Sequence, residues 1–159
     1  MLKTQNLVLA LLISVHCFSQ VPLLDWAYAF GGTGRDVIRH SQIDPQGNII
    51  NIGYYANTVD FDPGSGTTTK VATPGLEEIF IQKLNSSGQL IWVKTLPSNF
   101  NAYPQRVAIG KDGSIHISGF MSGDSLDLNP DPIATHFVYK GLYSRAMFVM
   151  KLTSSGTFL

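Results

Sequence analysis

The segment Asp60-Phe61-Asp62-Pro63-Gly64-Ser65-Gly66 comes nearest to ligand-site chemistry in this chain. Alternation along an extended segment puts both carboxylates on one side, and hard oxygen ligands suit Ca²⁺. Asp60 and Asp62 are therefore the candidate metal ligands, and Ca²⁺ is the one cofactor to consider. The EF-hand pattern is not met. Position 5 is Gly64, position 6 is Ser65 instead of Gly, and position 12 is Val71, where a bidentate Glu is required. The competing reading, which the residues favour, is a polar turn held by aspartate–backbone hydrogen bonds.

Other residue sets point to chemistry less directly. Phe30-Gly31-Gly32-Thr33-Gly34-Arg35 has the glycines of a phosphate-cradling loop. It lacks the Gly-Lys-Ser/Thr and the helix that such loops need. A turn between repeat units is the simpler reading. His40, His116 and His136 are scattered and form no His-Glu-x-x-His pair. No Gly-x-Ser-x-Gly elbow marks a serine nucleophile. These residues nominate no catalytic group. Trp26, Trp92, Tyr54, Tyr55 and Phe120 could stack on a sugar or peptide. Their recurrence at matching repeat positions argues for core instead, with Tyr55 open to either role.

Composition sets the frame for these candidates. Hydrophobic content is 44% and charged content 14%, enough to bury a core and too apolar for disorder. Lys+Arg and Asp+Glu are both 11, so no basic excess points to nucleic acid or an anionic membrane. The N-terminus differs from the rest. Lys3 precedes the apolar run Leu7 to Phe18, and Ser19-Gln20 follows. That is the layout of a secretory signal peptide, with cleavage expected after Gln20. A membrane-spanning helix takes ~20 apolar residues, so this run is short for a span. Cys17 is the one cysteine and follows His16, where a lipoprotein signal wants a small residue. Its loss with the leader would leave a chain with no disulfide and no thiolate metal site.

The elements that must position these residues come from a repeat. Asp44 to Tyr54 matches Gly110 to Phe120 at an offset of 66. Asp60 to Pro63 matches Asp127 to Pro130 at 67, and Ile79 to Gly88 matches Met147 to Gly156 at 68. The offset changes between apolar runs, where surface loops accept insertions. Each unit reads as four strands. The first unit has Ile38 to Asp44, Ile49 to Tyr55, Ile79 to Leu84 and Leu90 to Thr95, with a polar stretch from Asn57 to Gly75 in the middle. Asn48 to Tyr55 is nearly apolar on both faces, so its strand needs cover on both sides, as stacked four-stranded sheets provide.

The ordered set Trp26 to Asp36, Ile43-Asp44-x-x-Gly47-Asn48, Asp60 to Gly64, Ile79 to Leu84 and Ser87-Gly88-x-x-x-Trp92 resembles the bacterial SBBP-type β-propeller repeat, in its secreted Bacteroidetes form. The resemblance covers about residues 24 to 159. Copy two departs from it at Pro97 to Tyr103 and at Asp127-Leu128-Asn129-Pro130-Asp131. It implies an all-β fold of about two four-stranded antiparallel blades in an incomplete ring. The expected divisions are 1–20 as signal peptide, 21–98 as a Trp strand plus the first blade, and 99–159 as a second blade without its last strand. The chain is expected to be a piece of a larger ring, completed by further blades in cis or by assembly.

The expected role is a non-catalytic binding or structural module, secreted or at the outer cell surface, with the periplasm as the other compartment. Its partner would be a protein or glycan, not nucleic acid, with no membrane span once the signal is removed. Two alternatives stand beside it. One is part of a secreted lyase or hydrolase whose site lies in other blades, and the other is a Ca²⁺-stabilised adhesin or glycan-binding segment.

Overall fold

The computed structural model describes residues 24–139 and 145–159, so the expected export signal lies outside the described residues. Twelve strands form in this order: β1 Gly31–Gly32, β2 Val37–Ile43, β3 Ile49–Ala56, β4 Thr58–Asp60, β5 Thr69–Val71, β6 Glu77–Leu84, β7 Leu90–Leu96, β8 Ala102–Ile109, β9 Ile115–Met121, β10 Ser125–Asp127, β11 Phe137–Tyr139 and β12 Ala146–Leu152. No helix occurs among the described residues. The all-β architecture is that of incomplete propeller blades. Four strands in the order β2-β3-β6-β7 make one antiparallel sheet, and β8-β9-β12 make the equivalent three strands of a second.

One turn design closes these hairpins. In Asp44 to Asn48, the Gly47 N–H donates to the Asp44 carbonyl at 2.9 Å, and Gly47 takes a φ of 82°. Only glycine enters that left-handed region without a Cβ penalty. Gly88, Gly113 and Gly156 repeat the geometry with φ of 78–81°.

The stretch Asn57 to Gly75, read from sequence as a polar stretch within the unit, contains structure of its own. β4 and β5 pair as a small hairpin, Thr58 opposite Val71, and β1 adds to the edge of β4. The second unit has the same insert, with Ser125 opposite Tyr139. Runs of three residues flanked by Gly and Pro gave too little alternation to be seen in sequence.

The core lies between the sheets. Ile50, Ile52, Ile79 and Ile81 of the first sheet meet Ile115, Ile117, Phe148, Met150 and Leu152 of the second, all buried. Each such side chain contributes about 1.5–3 kcal/mol by leaving water. The other face of the first sheet carries Tyr55, Phe80 and Val93, covered by Phe61, Val59 and the half-buried Phe30. β3 is therefore buried on both faces, as its apolar run requires. The residues of the second sheet that correspond to Ile79 and Ile81 are Met147 and Val149, and they stand 91% and 74% exposed.

Residues 24–30, in the segment expected to hold a Trp strand, lie outside the strands. Trp26 and Tyr28 stack at 5.6 Å and lie across the Gly88 turn, where the Trp26 indole N–H donates to the Ser86 carbonyl at 2.9 Å. Trp92 half-buries against the main core.

Candidate functional site

The structure gives the aspartate motif a backbone-clasping job. Asp60 Oδ1 accepts from the N–H groups of Asp62 at 3.1 Å and Thr68 at 2.8 Å. Asp62 Oδ1 accepts from the Gly64 N–H at 2.8 Å. The Thr68 and Asp62 donors hold the Asp60 carboxyl below its ordinary range. Copy two does the same despite its altered sequence. Asp127 Oδ1 accepts from Asn129 at 2.9 Å and His136 at 2.8 Å, and Asn129 Oδ1 accepts from Asp131 at 2.9 Å. A buried apolar anchor sits between the clasping residues, Phe61 between Asp60 and Asp62 and Leu128 between Asp127 and Asn129.

A polar chain, buried at Asn51 and Gln82, fixes that anchor in the first unit. Ser41 Oγ donates to Asn51 Oδ1 at 2.6 Å, Asn51 Nδ2 to Gln82 Oε1 at 2.9 Å, and Gln82 Nε2 to the Phe61 carbonyl at 2.8 Å. The Gly31-Gly32 segment joins the same region by pairing with Asp60 and Val59. Asp36 ties it down, its carboxylate accepting from the Gly32 N–H at 2.8 Å. The glycine loop and the aspartate motif, distant in sequence, thus form one clasp. No group of three or more His, Cys, Asp or Glu residues is arranged to hold a metal among the described residues.

The histidines remain separate. His40 Nδ1 accepts from the Val107 N–H at 3.4 Å, and His136 packs its ring 4.8 Å from Phe158. His116 Nε2 stands 3.0 Å from Ser114 Oγ, but that hydroxyl donates to Asp112 Oδ1 at 2.6 Å. The acid holds the serine instead of the histidine, so the trio has the wrong order for a relay. Tyr55 is buried, and its hydroxyl donates to Glu78 at 3.1 Å, which places it in the core.

A second cluster joins residues that sequence reasoning named with residues it missed. The guanidinium carbons of Arg35 and Arg39 lie 5.2 and 5.7 Å from the centre of the Tyr54 ring. Tyr54 meets Tyr103 edge-on at 5.0 Å, Tyr103 meets Phe120 at 5.3 Å, and Arg145 lies 5.5 Å over Phe120. The row crosses from one sheet to the other at the ends where β3 and β9 finish and β2, β8 and β12 begin. Arg35 also pairs with Glu77 at 3.1 Å. Burial pushes the Tyr103 hydroxyl up to about 12, and the Glu77 carboxylate adds to the effect. Tyr54 and Phe120 were visible as repeat-matched aromatics. Arg35, Arg39, Tyr103 and Arg145 were not read as site residues. The available signal was the spacing of Arg35 and Arg39, which puts both on one side of an extended segment.

The chain is similar to a curated protein described as an uncharacterized WD repeat-containing protein of Acanthamoeba polyphaga mimivirus. Identity is 25% over 116 residues, 65% of this chain. The chain spans 8% of the length of that relative. No family model matches the chain, and no solved structure matches it. The weak WD-repeat similarity and the stacked, repeated sheets together support a β-propeller-like repeat module.

Proposed function

We propose that this chain is an exported, non-catalytic β-propeller segment that serves as a binding or structural module at the cell surface or outside the cell. The carrying observation is the stacking of two equivalent sheets, each with a small hairpin inserted after its second strand. Such a scaffold holds loops rigidly at one end, where binding residues can converge. The SBBP-type pattern in its secreted Bacteroidetes form supports export, as does the apolar run Leu7 to Phe18 behind Lys3.

The module works with further sheets of the same repeat, supplied in cis or by another copy. Met147 and Val149 occupy the positions that Ile79 and Ile81 bury against the second sheet. They are the side chains that a following sheet would cover.

Cell fractionation with N-terminal sequencing tests the export claim. The mature protein is expected outside the inner membrane, beginning near Val21. Recovery from the cytoplasm with Met1 intact would sink it. Sedimentation tests the need for further sheets. Replacing Met147 and Val149 by lysine should leave a larger assembly unable to form or, in a longer polypeptide, lower its melting temperature. An unchanged mass and melt would show that the face needs no cover.

A further inference from the structure

We propose that the row formed by Arg35, Arg39, Tyr54, Tyr103, Phe120 and Arg145 binds an acidic glycan, a chain of sugars carrying carboxylate or sulfate groups at intervals. This deepens the reading of the chain as a binding module and rests on it. Three guanidinium groups lie over the rings of this row, and one of them, Arg35, pairs with Glu77, in a protein whose formal charge is zero. Arg39 and Arg145 are exposed and form no ion pair among the described residues. Each is instead held over a ring face, which orders the side chain while leaving its N–H fork free. A planar fork prepared in this way suits bidentate capture of a carboxylate or sulfate.

Two of the guanidinium groups share the Tyr54 ring and the third lies over Phe120. Arg35 and Arg39 belong to the first sheet and Arg145 to the second, with three rings between them. A chain with repeated anionic groups can engage both ends of such a row. Neutral sugars would need an open ring face, whereas Tyr54 is 2% exposed beneath its two arginines and Tyr103 and Phe120 are half-buried.

Peptide binding by strand addition is disfavoured by the edges beside the row. β2 and β8 are terminal strands, but each is bulged near its start, between Ile38 and His40 and between Pro104 and Arg106. A bulge breaks the ladder that an added strand would continue, and Pro104 has no N–H to offer.

The test titrates the purified protein with oligogalacturonate, with the matching neutral galacto-oligosaccharide, and with poly-glutamate. Oligogalacturonate should bind, and its affinity should fall as salt rises. Arg39→Gln and Arg145→Gln should each weaken it about tenfold, the loss of one charge-assisted contact. Both side chains are exposed, so unchanged melting will show that the variants stay folded. No binding of the acidic sugar, or equal binding by the variants, overturns the proposal. Poly-glutamate binding as tightly overturns the glycan assignment yet leaves a binding module standing. Equal binding of the neutral sugar removes the arginines from any role.

Discussion

Trp92 lies over Gly156 as Trp26 lies over Gly88. A Cβ built on Gly156 would stand 3.3 Å from the Trp92 ring, and one built on Gly88 would stand 3.1 Å from Trp26 and 2.8 Å from Tyr28. The same kind of ring covers the same turn of the next unit in both copies. Trp26 therefore takes, against the first sheet, the place that a Trp of a preceding sheet would take. Gly47 isolates the contact, because it shares the turn and a φ of 82° but would meet nothing within 4 Å. Gly47→Ala should cost about 1 kcal/mol, the left-handed backbone penalty alone. Gly88→Ala should cost about 1–3 kcal/mol more through overpacking. Urea unfolding of both variants measures the difference, and equal midpoints would show that the rings carry no weight.

The buried amide chain predicts coupling. Gln82→Met copies Met150 of the second sheet but strands Asn51 Nδ2 and the Phe61 carbonyl. Each lost partner costs about 1–3 kcal/mol. Asn51→Ile together with Gln82→Met imitates Ile117 and Met150, the residues of copy two, and should recover part of that loss. A double-mutant cycle reads the coupling, and strict additivity would contradict the network.

Acid should weaken the link between sheets. Lys83 Nζ lies 2.8 Å from Asp44 Oδ2 and donates to the Ser154 carbonyl of the second sheet at 3.2 Å. Burial alone would raise the Asp44 carboxyl. The Lys83 ammonium, then the Asn48 and Gln46 donors, outweigh it and hold the group at about 2. A depressed folded value means stability that is present above the ordinary carboxylate range and lost as pH falls through about 2. The loss should be on the order of 2 kcal/mol between pH 5 and 2. Asp44→Asn should be less stable throughout and show a shallower acid slope in urea melts. An unchanged slope would remove Asp44 from the account.

The aspartate clasp makes a prediction that separates turn from metal site. Asparagine keeps the Oδ1 acceptor that Asp60 presents to Thr68 and Asp62. Asp60→Asn should therefore lower the melting temperature less than Asp60→Ala, which takes the acceptor from both donors. A chelator should leave the melting temperature of each protein unmoved. Equal losses in the two variants, with a chelator-sensitive wild type, would point to a cation.

A WD blade takes about 40–45 residues, whereas the units here recur at offsets of 66 to 68. The β4–β5 and β10–β11 hairpins occupy the extra length, between the second and third strands of each unit. The repeat made this excess visible in sequence, but its pairing was not.

Much of the architecture was already determined by local pattern. Short runs rich in β-branched and aromatic residues, glycine at the left-handed turn position and the doubled motifs specified the strands, their order and the repeat. The two-sided apolar run Asn48 to Tyr55 specified that a second layer must cover it. These properties depend on neighbours a few residues apart, so sequence displays them directly. The clasp of Gly31-Gly32 on Asp60, the reach of Lys83 to Ser154 and the row from Arg35 to Arg145 were decided only by tertiary structure. Each joins residues from different strands or different sheets, and their meeting follows from twist, bulges and inter-sheet packing, which no local spacing records.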